Sequence, residues 1–407
     1  MKLLCVVFAS ALHVSSPQTS VTVVTPGVDV VRLEGERLAR LRGKRIGLIT
    51  NHTGRAIDGT PTLQVLRREL GLDVVTLFSP EHGFAGNVAA GDNVSSDESG
   101  AIPVFSLYGD IRAPTREMLA GVDVLVFDIQ DIGVRFYTYI STMKLAMDAA
   151  ARAGVAFVVL DRPNPNGGTR VEGPVLETEL TSFVGVAPIP LLHGMTVGEL
   201  AHLFQDDRLE LDVVLVRGWT RDLIWEETGL PWTAPSPNIR SPRAALAYPA
   251  LGLLEGINVS EGRGIEETFE RIGAPWIDGE RLSSLLNGLD LEGASFRPTS
   301  FVPRRSNRAP RPKYENERCT GIELTITLPH ELDAVRTGLE VIVAIRTLHP
   351  DDFEWIRNDE RYWIDRLLGT DRPRHAIEEG MSVEDILESE RPALERFMRL
   401  RAEHLLY

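Results

Sequence analysis

Two cysteines in 407 residues leave no room for a disulfide framework or a thiolate metal site. Cys5 lies in an apolar segment at the amino end, and Cys319 would stand alone in any processed chain. Long apolar runs are also lacking: beyond that first segment no stretch reaches the roughly 20 apolar residues of a membrane-spanning helix. Positive charge is scarce. Lys and Arg number 43 against 58 Asp and Glu, a net charge of −15. That balance argues against nucleic acid as a partner, because phosphate binding requires a local excess of Lys and Arg. One basic cluster exists, Arg304, Arg305, Arg308, Arg311 and Lys313, but it is Pro-rich and reads as a solvated loop. Three familiar motifs are absent too. There is no Gly-x-Gly-x-x-Gly after the first strand, no phosphate loop ending Gly-Lys-Ser/Thr and no Gly-x-Ser-x-Gly elbow. Their absence weighs against dinucleotide enzymes, nucleotide hydrolases and serine hydrolases of the usual kinds.

What is present begins with Met1-Lys2, the apolar run Leu3 to Ala9 and the pattern Ala9-Ser10-Ala11, which together resemble an export signal. A periplasmic or extracellular location is therefore expected, with a cytoplasmic one as the alternative. At 407 residues with 43% apolar content, the chain is long enough for two cores. The expected organisation is a lead-in over 1–30, a Rossmann-like domain over 31–270 and a smaller α+β domain over 271–407.

From residue 45 onward apolar runs alternate with helical patterns. Strands are predicted at Arg45–Thr50, Asp73–Phe78, Ile102–Gly109, Val122–Phe127, Val155–Leu160 and Asp212–Val216, with Pro103 demoting the third to an edge. Helices are predicted at Glu34–Leu41, Pro61–Leu70 with Thr60 as its cap, Pro114–Ala120, Tyr139–Ala153, Thr196–Phe204 and Ala244–Leu254. The strands are continuously apolar rather than alternating, the mark of a mostly parallel α/β sheet with helices on both faces. Further on, Phe296–Val302 and Gly321–Leu328 read as strands of the second unit, followed by helices.

In such a sheet the loops at the carboxyl ends of the strands converge, so polar residues that end strands are candidates for chemistry. Four predicted strands end this way: in Asn51 and His52; in Glu81 and His82; in Asp128, Gln130 and Asp131; and in Asp161, Arg162 and Asn164. Singly each has a structural explanation, Asn51 as a turn former, Asp161 as a loop cap, Asp128 as a partner of Arg135. Four together argue for a site. Glu81, flanked by Phe78, Pro80 and Phe84, is expected to be desolvated, which raises a carboxyl's pKa toward the range a general acid needs. A glycosidase requires a second carboxylate, for which Asp128, Asp131, Glu172 and Glu261 are candidates. Tyr137, Tyr139 and Trp232 suit sugar faces, and Asn164, Asn166, Asn238 and Asn258 suit hydroxyls, with core packing as the competing role. A metal site built from Glu81, His82, Asp128 and Asp161 matches no established ligand spacing, and no cofactor is expected.

Several long stretches then fall together: Gly47 to Gly54, Phe78 to Gly86, Phe127 to Tyr139, Leu160 to Pro165, Pro190 to Glu199, Pro235 to Asn238 and Glu255 to Gly264. With these the chain, from roughly Arg45 to its carboxyl end, resembles the NamZ/YbbC-like exo-β-N-acetylmuramidases of bacterial cell-wall turnover, glycoside hydrolase family 171. The resemblance implies a Rossmann-like catalytic domain, a C-terminal auxiliary domain and a cleft between them. It also implies release of terminal N-acetylmuramic acid from the non-reducing ends of peptidoglycan fragments, without metal or nucleotide. The family's catalytic glutamate falls on Glu81. On this reading Glu81 protonates the glycosidic oxygen, while Asp128 or Glu261 supports the oxocarbenium-like state or activates water. His82, Arg135, Arg162 and Arg263 orient the substrate, guanidinium groups being suited to the lactyl carboxylate of muramic acid. Asn51, Gln130, Tyr137, Tyr139, Asp161, Asn164, His193, Asn238 and Asn258 complete the expected contacts. Two places depart from the family pattern. Gly264-Ile265-Glu266-Glu267-Thr268-Phe269 stands where Gly-Thr and a later Pro-Phe pair are expected, and Leu192 stands where a basic residue is expected before His193. Two rival readings are a non-catalytic protein binding sugars or peptidoglycan fragments in the same cleft, and a metal-dependent hydrolase.

Overall fold

The structure, a computed structural model, describes residues 24–97, 102–358 and 360–407. The expected export signal lies outside the described residues. Chain order begins with β1 (Arg45–Thr50), β2 (Asp73–Ser79), β3 (Val104–Ser106), β4 (Val124–Asp128) and β5 (Ala156–Leu160). A separate antiparallel ribbon follows, β6 (Glu172–Val175) with β7 (Pro190–Leu192), and β8 (Leu211–Val214) then returns to the first sheet. That sheet has six strands, all parallel, in the order β3-β2-β1-β4-β5-β8. The chain reverses its direction of travel across the sheet between β1 and β4, the topological switch point of an open α/β sheet.

Both faces of the sheet are covered. In β4, Val124 and Val126 pack with Val28, Val31, Val65 and Leu66, whereas Leu125 and Phe127 face Ile140, Met143 and Met147 of the helix Tyr139–Ala153. Successive side chains of a strand point to opposite faces, so a strand buried on both sides reads as one unbroken apolar run. The second cluster runs on without a gap into Ile272, Leu282, Val335 and Ile342. These belong to the antiparallel sheet of β9 (Arg271–Ala274), β10 (Ala294–Phe301) and β11 (Cys319–Ile326), ordered β10-β11-β9, and to its helices Gly279–Asn287 and Ala334–Leu348. The helix Pro242–Leu251 packs against Ala334–Leu348 and ties the two regions together.

The helix Val197–Phe204 starts as its sequence predicts, with Thr196 and Glu199 exchanging side-chain and backbone bonds in a capping box. The shorter predicted helices fare worse. Glu34–Leu41 forms turns and one 3-10 turn, Ala39–Leu41. Pro114–Ala120 is a set of turns in which the Thr115 hydroxyl accepts the Met118 N–H, and Gly121 at φ +86° ends the segment. After Pro61, itself at the cap position instead of Thr60, a brief α-turn Thr62–Gln64 widens into a π-turn Val65–Glu69. Segments this short bear the full cost of helix nucleation with few bonds to offset it, so tertiary packing decides their shape.

Candidate active site

The loop after β2 carries Glu81 and His82 into a cavity of about 600 Å³. Glu81 is buried, and both its oxygens are engaged: Gly91 donates its N–H to Oε1 at 3.1 Å and Thr138 its hydroxyl to Oε2 at 2.5 Å. Thr138 is the N-cap of the long helix Tyr139–Ala153, yet its hydroxyl caps nothing and serves the carboxylate instead. The positive end of that helix is thereby turned toward Glu81. The apolar enclosure expected from Phe78, Pro80 and Phe84 is not what forms, because Phe84 is 38% exposed and lines a different recess. Polar donors surround the carboxyl instead. Tyr108, two residues beyond β3, completes the set. Burial first, and then the charge and hydrogen bonding of Glu81, raise its phenol above the ordinary tyrosine range.

His82 has φ +70°, a left-handed conformation costing a residue with a Cβ roughly 1–2 kcal/mol. The strain is held by the Val88 carbonyl, which accepts from Nδ1 at 2.7 Å, and by the Val88 N–H, which donates back to the His82 carbonyl at 3.2 Å. Since a carbonyl only accepts, Nδ1 carries a proton and the neutral ring keeps Nε2 as an acceptor. Burial holds this imidazole below its usual pKa, against the pull of Glu81.

The remaining walls are aromatic and cationic. Phe136, Tyr137, Tyr248 and Phe269 form a run of edge-on ring contacts, with centroids 5.1 Å apart for Phe136–Tyr248 and 4.6 Å for Tyr248–Phe269. Arg112, Arg263, Arg308, Arg311 and Arg366 surround them, opposed by two lining carboxylates, Glu81 and Glu255. Arg263 is held to Glu255 at 2.7 Å and to Glu261 at 3.0 Å, and Arg311 reaches Asp92 at 3.1 Å. Arg112 stacks over Phe183 at 5.0 Å. Among the described residues no carboxylate pairs with Arg112, Arg308 or Arg366. A cavity with an excess of unpaired guanidinium groups, in a chain of net charge −15, is built for an anionic substrate.

The cavity brings together Glu81, His82, Tyr137, Asn238 and Arg263 of the predicted set. The others lie elsewhere, each for a visible reason. Asp128 pairs with Arg162, not with Arg135, at 2.5 and 3.0 Å, and also accepts the Thr62 hydroxyl, so both predicted site residues are spent on each other. Arg135 is wholly buried and donates to the carbonyls of Pro174, Ile189 and Leu367 at 2.8, 2.9 and 2.7 Å. With no carboxylate beside it, burial brings its pKa down to about 9. Asp161 accepts from Arg162, Gly198, Thr196 and Tyr407, and burial raises it to about 6. Asp131 takes the Gly133 N–H at 2.6 Å, and burial raises it to about 7. Glu172 accepts the Val335 N–H at 3.0 Å. Burial lowers His193 to about 3. Asn51 folds onto Thr53, Gln130 bonds the carbonyls of Asp131 and Pro163, and Asn164 and Asn166 tie loops to Met195 and Ala245. Tyr139 donates to the Pro235 carbonyl, Asn258 clasps the Asp352–Glu354 backbone, and Trp232 packs edge-on against Trp225. Glu261 sits behind the wall between Arg263 and Lys313; burial alone would raise it, but these two cations bring it below the ordinary glutamate value. Among the described residues no group of three or more His, Cys, Asp and Glu side chains is placed to hold a metal ion.

Several lining residues escaped sequence reasoning. Glu255 opens the Glu255–Gly264 stretch, and its eight-residue separation from Arg263 was the available signal. The basic cluster is not a solvated loop throughout: Arg308 and Arg311 line the cavity, and Lys313 donates to the carbonyls of Leu254, Ile257 and Val259. Asn358, Trp363 and Arg366 come from so far along the chain that nothing local marks them.

Comparison with known proteins agrees with this architecture. A family model described as exo-β-N-acetylmuramidase NamZ, N-terminal, matches residues 46–243, and its C-terminal counterpart matches residues 246–407. The peptidoglycan β-N-acetylmuramidase NamZ of Bacillus subtilis (strain 168) is 45% identical over 389 residues, covering 94% of this chain and 91% of that protein. Two crystal structures of DUF1343 family proteins from Bacteroides fragilis align with TM-scores of 0.85 and 0.76 at 36% and 32% identity, each over 94% of this chain and 99% of the other.

Proposed function

The chain belongs to the exo-β-N-acetylmuramidase NamZ family, and from that premise we propose how its cavity carries out the reaction. The protein is a bacterial glycoside hydrolase acting on peptidoglycan-derived saccharides. Glu81 is the general acid. It passes a proton to the glycosidic oxygen as the bond to the anomeric carbon breaks, and a water molecule adds at that carbon and gives up a proton, which restores the acid as terminal N-acetylmuramic acid leaves from the non-reducing end. The observation that carries this reading is that, of the strand-end acids Glu81, Asp128, Asp131 and Asp161, Glu81 alone lines the cavity.

Glu255 replaces Asp128 and Glu261 as the second carboxylate. It lines the same cavity and is steadied by Arg263 at 2.7 Å, so its negative charge bears on the oxocarbenium-like centre. Arg308 and Arg366, which among the described residues have no carboxylate partner, take the lactyl carboxylate in place of Arg135 and Arg162. Tyr137, Tyr248 and Trp363 supply surfaces for the sugar ring, and Asn238 a hydroxyl contact. The export pattern at Met1 to Ala11 supports action outside the cytoplasm on fragments freed during wall turnover.

The test is Glu81→Gln assayed on a muramic-acid-terminated disaccharide. Turnover should fall by about 10²- to 10⁴-fold, the range of a lost general acid, with fragment binding by calorimetry changed less than about threefold. Undiminished turnover removes Glu81 from the mechanism. Activity should also survive exhaustive chelation; a loss restored by one divalent ion would favour a metal-dependent hydrolase.

A further inference from the structure

A second recess of about 400 Å³ adjoins the cavity and shares two of its wall residues, Asn238 and Arg308. Its other walls are Pro237, Arg240, Gly264, Ile265, Glu266, Arg304, Ser306 and Asn307. We propose that this recess is the leaving-group subsite, the place where the saccharide left behind after removal of the terminal muramic acid is bound. The inference rests on the exo-muramidase reading and adds to it a direction for the substrate chain.

Three observations support it. An enzyme that removes one terminal sugar needs a closed position for that sugar and an open path on the leaving side. The recess that shares the Asn238–Arg308 wall provides such a path next to the cavity. Its chemistry suits a saccharide. Asn238, Ser306, Asn307, Arg304 and Arg308 offer hydrogen-bonding groups to sugar hydroxyls, Pro237 and Ile265 offer apolar contact to a ring face, and the Arg240 charge is matched by Glu266. Its floor is also preformed. Arg304 donates its N–H to the Gly264 carbonyl at 3.0 Å, and Gly264, at φ +91°, lies so close that a Cβ there would meet the Arg304 backbone at 2.7 and 2.8 Å. A subsite held rigid before binding loses little entropy when a sugar enters.

The test uses two kinds of substrate: a chromogenic aryl muramide, whose leaving group is a single ring, and muramic-acid-terminated saccharides of two and four sugars, the saccharides assayed with and without stem peptide. Ser306→Trp, which fills the recess, and Arg304→Ala, which removes an exposed side chain, are compared with the unaltered enzyme. For both variants kcat/KM on the tetrasaccharide should fall about tenfold or more, mainly through KM, while turnover of the aryl muramide changes less than twofold. That unchanged turnover also reports correct folding. Equal losses on both substrates, or no loss on either, overturn the subsite. An effect seen only with fragments that carry stem peptide would assign the recess to the peptide and overturn it equally. Failure of the unaltered enzyme to turn over any muramide would instead overturn the underlying reading.

Discussion

Two groups of polar residues stand at the carboxyl edge of the same sheet and have opposite fates. At the switch point between β1 and β4, Asp128, Arg162, Asp161 and Asn164 bond one another and the backbone, and little is left to offer a ligand. Beside them, after β2 and β3, Glu81, His82 and Tyr108 face a cavity whose arginines are partly unpaired. Residue type and strand position are the same in both groups. What separates them is what they face: the first group is packed against other side chains and backbone, whereas Glu81 and His82, though hydrogen-bonded, line open space. Arg112 and Arg308 are exposed and Arg366 is half-buried, so water solvates these charges in the free protein and an anionic group entering the cavity can take its place.

Removing one member of the saturated group should produce the largest change in stability. Asp128→Asn leaves the buried Arg162 charge uncompensated, and unfolding free energy should drop by about 3–5 kcal/mol in urea titrations. At temperatures where the variant is folded, kcat on the disaccharide should stay within a few-fold of the parent. A stable variant lacking activity would dissolve the distinction between the two groups.

The unsaturated group should respond in the opposite way. Arg366→Ala should leave thermal stability nearly unchanged and raise KM for the muramic-acid disaccharide by about 10- to 100-fold, the worth of a charge-assisted hydrogen bond. For an analogue whose lactyl carboxylate is converted to an amide, the same substitution should matter less than threefold.

A further effect sharpens the comparison through pH. Asp131 has a folded-state pKa of about 7 against an ordinary 3.8, so the folded protein holds this proton more tightly than the unfolded chain does. Its contribution to stability is complete below pH 3.8 and is lost as pH rises through about 7. Asp131→Asn cannot ionise, so its stability relative to the parent should improve by about 2–4 kcal/mol between about pH 4 and pH 8. A difference that stays flat across that range would show that Asp131 is not held in the way described.

Much of the fold was legible because a strand buried on both faces, such as Val124–Asp128, is an unbroken apolar run, and because Thr196 and Glu199 declare a helix start. The segments that misled, Glu34–Leu41 and Pro114–Ala120, are short enough for packing to override local preference. At the site, Glu81 was legible from its position behind a strand. Its surroundings were not: the flanking phenylalanines suggested an apolar pocket, whereas Gly91, Thr138 and Tyr108 arrive from elsewhere in the chain to make a polar one. Arg135 and Arg162 looked like substrate ligands because sequence shows a charge but not its partner. Arg366 and Trp363 were invisible because the C-terminal region folds back over the cavity from more than 200 residues away.

The central claim, that Glu81 delivers a proton to the departing oxygen, is tested most directly by the leaving-group dependence of Glu81→Gln. An acidic aryl alcohol departs without protonation, whereas a sugar alcohol does not. The variant should therefore lose about 10²- to 10⁴-fold in kcat on the muramic-acid disaccharide but at least tenfold less on a dinitrophenyl muramide. Equal losses on both substrates would contradict the assignment and make Glu81 a residue required for bond cleavage in some other way.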